Sequence, residues 1–187
     1  MKQLLLLFAI FSCTFLNAQK RFEKIDSTQM ADGRVFYGHT FGFLKGRKRV
    51  GEWKYFQSST ADTNKRLAWS AKYDNGRLLE EVNYTLDSYT IREYKSKSIL
   101  KREANYRYGK IVSERLFHSK TSVISKTYYS DGTLSGEGKE VLVKIIAGCD
   151  AGMKVYKKFG VWKYYDTAGN RLDDLEHTFN KNVFEKV

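Results

Sequence analysis

Few side chains in this sequence could carry out chemistry, and their spacing is not that of a metal site or a catalytic group. His39, His118 and His177 are far apart in the chain and lack the paired spacing of metal ligands. Cys149 stands among small residues, and a cysteine nucleophile would need a histidine base nearby. A structural cysteine in a turn is the favoured interpretation. We therefore predict no catalytic residue, no metal site and no cofactor site, and hence a protein that is not an enzyme.

A glycine-rich stretch over residues 132–139 has the length of a phosphate-binding loop but lacks its pattern. Thr133 stands where the first glycine of that loop is required, and Glu140 follows the lysine where serine or threonine is required. We interpret the stretch as a glycine-rich turn that leaves a hairpin.

Aromatic residues are the best candidates for a binding surface. The pattern Gly-x-Trp-Lys-Tyr-aromatic occurs twice, at residues 51–56 and 160–165. In a β-strand a tryptophan and the tyrosine two residues later lie on one face, so Trp53 with Tyr55, and Trp162 with Tyr164, form two aromatic stripes. The glycine before each tryptophan leaves room for a ring or a neighbouring strand. We predict that both tryptophans are half buried against other aromatics and are available for contact with a ligand.

The elements that position these residues are predicted to be short β-strands. Apolar and polar residues alternate with a period of two, most clearly over residues 67–73. Turn signals separate such runs, at Asn75-Gly76, Tyr108-Gly109, Asp131-Gly132 and Ala168-Gly169. Aromatics recur about every 11 residues, at Tyr73, Tyr84, Tyr94, Tyr106, Phe117 and Tyr128. A short strand and a turn fill that period, which predicts turns near 76, 98 and 120 at one end of a meander and near 87, 109 and 131 at the other.

The repeated motifs resemble a known family. Gly-x-Trp-x-x-Tyr with a later glycine, in hairpins of this length, is similar to the MORN-variant repeat from which the YwqK-type antitoxins are built. The match is good over residues 51–56 and 160–169, and recognisable over 73–78 and 129–134. Between residues 85 and 125 other residues replace the turn glycines. The resemblance implies repeated β-hairpins and a partner protein, and no functional residue is carried over from it.

We therefore predict an all-β fold, an elongated antiparallel meander of repeated β-hairpins. The spacing of Leu172, Leu175, Phe179 and Val183 favours a short C-terminal helix that covers one edge of the sheet. A last strand followed by a tail is the alternative.

The first residues are typical of a secretory signal. Lys2 is followed by an uncharged apolar run that ends at Leu16. Cleavage after Ala18 would leave residues 19–187 as a single β-repeat domain, and lipoprotein processing before Cys13 is the alternative. No later stretch is long and apolar enough for a membrane helix. We expect an exported protein that is periplasmic, outer-membrane-associated or secreted, with no internal disulfide because Cys149 would then be its one cysteine.

The net charge of +12 implies attraction to anionic partners. Export argues against nucleic acid, and the even spread of the lysines is typical of a solvated β surface. The favoured function is a non-catalytic module that binds a protein or an anionic envelope polymer. Two alternatives stay open: an antitoxin or immunity-type partner of a toxin, and a basic membrane-surface binder of anionic lipid.

Overall fold

The structure of the protein is a computed structural model that describes residues 19–96 and 99–187. The signal peptide predicted for residues 1–18 lies outside the described residues. The described chain contains β-strands and no helix, which confirms the predicted all-β meander of hairpins. Its internal contacts cluster into two units, the first of residues 19–84 with Ser96 and the second of residues 85–95 and 99–187.

The first unit is a meander in which each strand is antiparallel to the next. Asn75 and Gly76 both have positive φ angles, of 49° and 86°, which gives the tight two-residue turn whose twist suits a hairpin. The strands are β1 (Gln19–Gln29), β2 (Val35–Lys45), β3 (Lys48–Ser59), β4 (Arg66–Asp74) and β5 (Arg77–Tyr84).

The second unit continues in the same manner through seven consecutive strands and then departs from it. Its last strand pairs with β10 instead of with the strand before it. The strands are β6 (Ser88–Tyr94), β7 (Leu100–Arg107), β8 (Lys110–Phe117), β9 (Ser122–Tyr128), β10 (Leu134–Ile145), β11 (Lys154–Tyr164), β12 (Leu175–His177) and β13 (Phe184–Lys186).

The turns of the second unit follow the predicted period. Strand boundaries place turns at residues 85–87, 95–99, 108–109, 118–121 and 129–133, and residues 97 and 98 lie outside the described part. The backbone N–H of Tyr108 donates to the carbonyl of Asp87 at 2.8 Å, so the turns near 87 and 109 lie at the same end. Turns two strands apart are thus neighbours, as expected for a meander.

The prediction of a C-terminal helix is wrong. Residues 172–187 contain the short strands β12 and β13, joined by a segment, residues 178–183, that we call the crossing segment. An amphipathic helix would bury the apolar residues that share one of its faces. Leu172 and Leu175 are instead 48% and 55% exposed. The backbone groups of this region are instead satisfied by pairing with β11 and β10.

The buried apolar residues are distributed along the sheet. Each unit has one fully buried indole, Trp53 in the first and Trp162 in the second. The other buried hydrophobic residues are small: Val50, Ala71 and Val82 in the first unit, and Ala104, Val123, Val141 and Val143 in the second. In each unit the tryptophan is therefore the largest side chain that is fully buried away from water.

Candidate functional site

Trp53 packs onto glycine in the neighbouring strand. Its ring lies over Gly42 of β2, so closely that a β-carbon on Gly42 would overlap the indole. The indole N–H donates to the carbonyl of Phe43 at 3.2 Å. The pairing of β2 with β3 is irregular here, and Gly51 has the positive φ of 64° that such a bulge favours. Only 2% of the Trp53 surface is exposed.

Trp162 occupies an equivalent environment in the second unit. Its ring lies over Gly138 of β10, and its N–H donates to the carbonyl of Lys139 at 3.0 Å. The pairing of β10 with β11 is irregular at the same relative position, and Gly160 has a φ of +74°. Trp162 is 0% exposed. Gly138 thus lies inside a strand, and our interpretation of residues 132–139 as a turn is wrong for all but its first two residues.

A cation covers the outer side of each indole. The guanidinium of Arg49 lies 4.5 Å from the centroid of Trp53, and the ammonium of Lys158 lies 4.2 Å from that of Trp162. Both cations precede their tryptophan by four residues in the sequence. Glycine below and a cation above leave neither ring free for a ligand. The prediction that the tryptophans are half buried and available for contact is therefore wrong.

The tyrosines of the two motifs share the faces of their tryptophans, as predicted. Tyr55 is half buried over Gly38, where a β-carbon would lie 2.5 Å from the Tyr55 hydroxyl oxygen. The hydroxyl oxygen of Tyr164 accepts from the Lys158 ammonium at 3.0 Å and lies 2.8 Å from Nε2 of His177. These contacts are made within the protein, so the four motif aromatics act as packing units.

The other candidate groups are dispersed. Cys149 is a free, exposed thiol in the turn between β10 and β11. His39 pairs with Glu23, and His177 lies against Tyr164. Over residues 19–96 and 99–187, no group of three or more His, Cys, Asp or Glu side chains is placed to hold a metal ion. No helix in that part of the chain is long and apolar enough to cross a membrane.

The sequence reasoning missed an aromatic face on the first unit. It consists of half-exposed and exposed side chains of β1, β2 and β3 on the side of the sheet opposite Trp53, namely Ile25, Tyr37, His39, Phe41, Phe43 and Phe56. Ile25, Tyr37 and Phe43 are 67%, 43% and 44% exposed. The rings of Phe41 and Phe56 are stacked with centroids 5.7 Å apart, and His39 meets Phe41 edge-on at 5.8 Å.

A signal for the aromatic face was present in the sequence of β2. The bulky rings at positions 37, 41 and 43 lie on one face of the strand, and the glycines at positions 38 and 42 lie on the other. The glycine side receives the Tyr55 and Trp53 rings, so the bulky residues must point the opposite way. Charge of both signs borders the aromatic face, because Glu23 lies 2.6 Å from His39 and 3.3 Å from Arg21.

Much of the charge on β6 to β10 is neutralised across the strands. Arg102 contacts Glu93 at 2.8 Å and Glu114 at 2.5 Å. The hydrogen bond from Arg102 holds the pKa of Glu93 below its usual range, and the hydrogen bond to Glu114 raises the pKa of Arg102. Arg115 likewise bridges to Glu140 at 2.9 Å. These groups are satisfied internally, which makes this region a poorer candidate for binding than the aromatic face.

No protein-family model matches this chain, and no curated protein or solved structure matches it.

Proposed function

We propose that the protein is a non-catalytic binding module and that the aromatic face of the first unit contacts a partner protein. The observation that carries the proposal is the exposure of Ile25, Tyr37 and Phe43 beside the stacked pair of Phe41 and Phe56. A contiguous apolar patch of this kind on a soluble protein is typical of an interaction site. Aromatic residues are also enriched at the centres of protein interfaces.

The chemistry of the aromatic face favours a protein over an envelope polymer. Three of its six members are phenylalanines, which lack the hydrogen-bonding group that tyrosine or tryptophan offers to a sugar, and Tyr37 is its one tyrosine. The bordering charges of Arg21 and Glu23 have opposite signs, which suits a partner surface of mixed charge better than a uniformly anionic polymer.

The resemblance to the MORN-variant repeat and to the YwqK-type antitoxins supports a partner protein. An antitoxin or immunity-type role is one form of this proposal, and a toxin encoded beside the gene would favour it. We also propose that the chain is exported, on the basis of Lys2 and the apolar run to Leu16. N-terminal sequencing of the exported protein should then begin near Gln19. Recovery solely from the cytoplasm, starting at Met1, would contradict export.

The binding proposal is tested by affinity capture from the native envelope with paired variants. Tyr37→Ser with Phe43→Ser removes two exposed rings of the aromatic face. Leu86→Ser with Val161→Ser removes 80% and 61% exposed apolar side chains of the second unit, and is the matched control. Circular dichroism and urea unfolding verify that both variants fold.

We expect the wild type and the control to retain the same protein and the aromatic-face variant to lose it. Retention of that protein by a folded aromatic-face variant would contradict the proposal. If the wild type captured a glycan in place of a protein, the function would be polymer binding.

A further inference from the structure

The crossing segment lines a cleft on the second unit that is partly open to solvent. Residues 178–183 pass over β10 and β11, from β12 beside β11 to β13 on the other side of β10. The segment is pinned by the N–H of Ile146, which donates to the carbonyl of Val183 at 2.8 Å. The cleft between segment and sheet has a volume of about 720 Å³. That volume lies within the range of small-molecule binding sites.

Three phenylalanines form the apolar surface of this cleft. Phe159 comes from β11, Phe179 from the crossing segment and Phe184 from β13. The centroid of Phe179 lies 5.6 Å from that of Phe159 and 6.4 Å from that of Phe184. All three rings are only partly buried, unlike the indoles of Trp53 and Trp162, so part of each ring faces the cleft beside the lysines.

Lysines surround these rings. The ammonium of Lys186 lies 4.2 Å from the Phe159 centroid, and that of Lys157 lies 4.9 Å from the Phe184 centroid. Lys181 of the crossing segment also lines the cleft. Within the described ranges, none of these three ammonium groups is within 4.0 Å of a carboxylate. This differs from Arg102 of β7 and Arg115 of β8, which are paired with glutamates.

One residue that lines the cleft, Glu185, carries a carboxylate. The alternation of side chains along β13 directs this carboxylate away from the cleft. Glu185 stands between Phe184 and Lys186 in β13, so its side chain points to the opposite face of the strand. The cleft therefore combines an apolar floor with unpaired positive charge, and anionic ligands complement that charge.

We propose that this cleft binds a single-chain anionic amphiphile, whose hydrocarbon chain lies on the three phenylalanines and whose carboxylate or other anionic head group lies against the lysines. A single chain fits because the crossing segment lines one side of the cleft and limits its volume. A bilayer surface would meet the lysines without its hydrocarbon reaching the rings. This site lies wholly in the second unit and is independent of the aromatic face.

Calorimetric titration of the full chain with free fatty acids tests the proposal, at concentrations below those at which they form micelles. Octanoate, decanoate and dodecanoate form the length series, and dodecanol is the uncharged analogue. We expect one dodecanoate per protein, with the dissociation constant falling about fourfold for each added methylene. The length series needs no variant, so it does not depend on how a substitution affects folding.

A pair of variants tests the head-group contacts. Lys181→Gln with Lys186→Gln should weaken dodecanoate binding by roughly tenfold or more and leave dodecanol binding unchanged. The control pair, Lys144→Gln with Lys120→Gln, removes the same amount of charge from the other face of β10 and from a turn. It should leave the binding of dodecanoate and of dodecanol unchanged. The aromatic-face variant should bind dodecanoate like the wild type, which separates this proposal from the partner-protein proposal.

Three results would overturn the inference. The first is the absence of saturable dodecanoate binding. The second is equal weakening by both lysine pairs, which would indicate general attraction to a basic protein. The third is binding to vesicles that contain anionic phospholipid without binding of the free acids, which would assign the lysines to a membrane surface.

Discussion

Trp162 lies so close above Gly138 that a β-carbon on this glycine would come within 2.5 Å of Cγ of the indole. Gly138 is on β10 and Trp162 is on β11, so the contact joins neighbouring strands. Trp53 and Gly42 repeat the arrangement between β3 and β2. The pairing of glycine with tryptophan thus fixes the position of one strand against the next at one site in each unit.

The first prediction is that Gly138→Ala and Trp162→Ala are not additive. Gly138→Ala alone should destabilise the second unit by about 1–3 kcal/mol, because the new methyl group overlaps the ring. In a chain that already carries Trp162→Ala, the same methyl group occupies space left by the indole and should cost much less. Urea unfolding of the four proteins of the double-mutant cycle measures the coupling. Equal costs in both backgrounds would contradict the contact.

Trp162→Ala by itself should lower the free energy of unfolding by about 3–5 kcal/mol, since the indole is fully buried. The variant also leaves the Lys139 carbonyl without the indole N–H. Tyr108→Ala in the same unit is the control, because Tyr108 is 70% exposed and its loss should cost less than about 1 kcal/mol. Similar losses in the two variants would place Trp162 at the surface.

The stability of the second unit should depend on the ionisation of Glu93. Its pKa is lowered in the folded protein, chiefly by the hydrogen bond from Arg102. A lowered folded-state pKa adds stability that is present above the unfolded-state value of about 4.3 and is lost as the pH falls through the folded-state pKa. Urea unfolding between pH 7 and pH 3 should show this loss. Glu93→Gln should reduce the pH dependence, whereas Glu176→Gln, at an exposed residue, should preserve it.

Cys149 should be dispensable for folding. The thiol is exposed in the turn between β10 and β11, so Cys149→Ser should change the free energy of unfolding by less than about 0.5 kcal/mol. The thiol of the folded wild type should react with an aromatic disulfide reagent as fast as that of the urea-unfolded protein at equal pH. Slow reaction in the folded state would show that the turn shields it.

The strands and turns were predictable because their determinants are local. Asn75 and Gly76 adopt positive φ angles that few other residues tolerate, and the alternation of residues 67–73 has the period of a strand. The burial of Trp53 could not be predicted in the same way. Its covering groups are Gly42 in another strand and Arg49 across a bulge, so the result depends on strand register.

The C-terminal region and the aromatic face were missed for the same physical reason. The spacing of Leu172 and Leu175 fits a helix locally, but pairing with β11 decides the structure of this region. The alternation of Tyr37 and Phe43 was visible in the sequence. Which side of β2 stays open, however, is decided by the rings that β3 places over Gly38 and Gly42.

The pairing of β13 with β10 has a consequence for the order of folding. Every other pairing within the second unit, over the described residues, joins strands that are consecutive in the chain, whereas Val143 and Lys186 are separated by 43 residues. Closing such a long loop costs more conformational entropy than closing a hairpin, and non-local contacts of this kind slow folding. We therefore expect the hairpins from β6 to β11 to form first and the crossing segment to dock last. The same segment should be the first part of the second unit to open under mild denaturant, with faster amide exchange at Val183 and Phe184 than in β10.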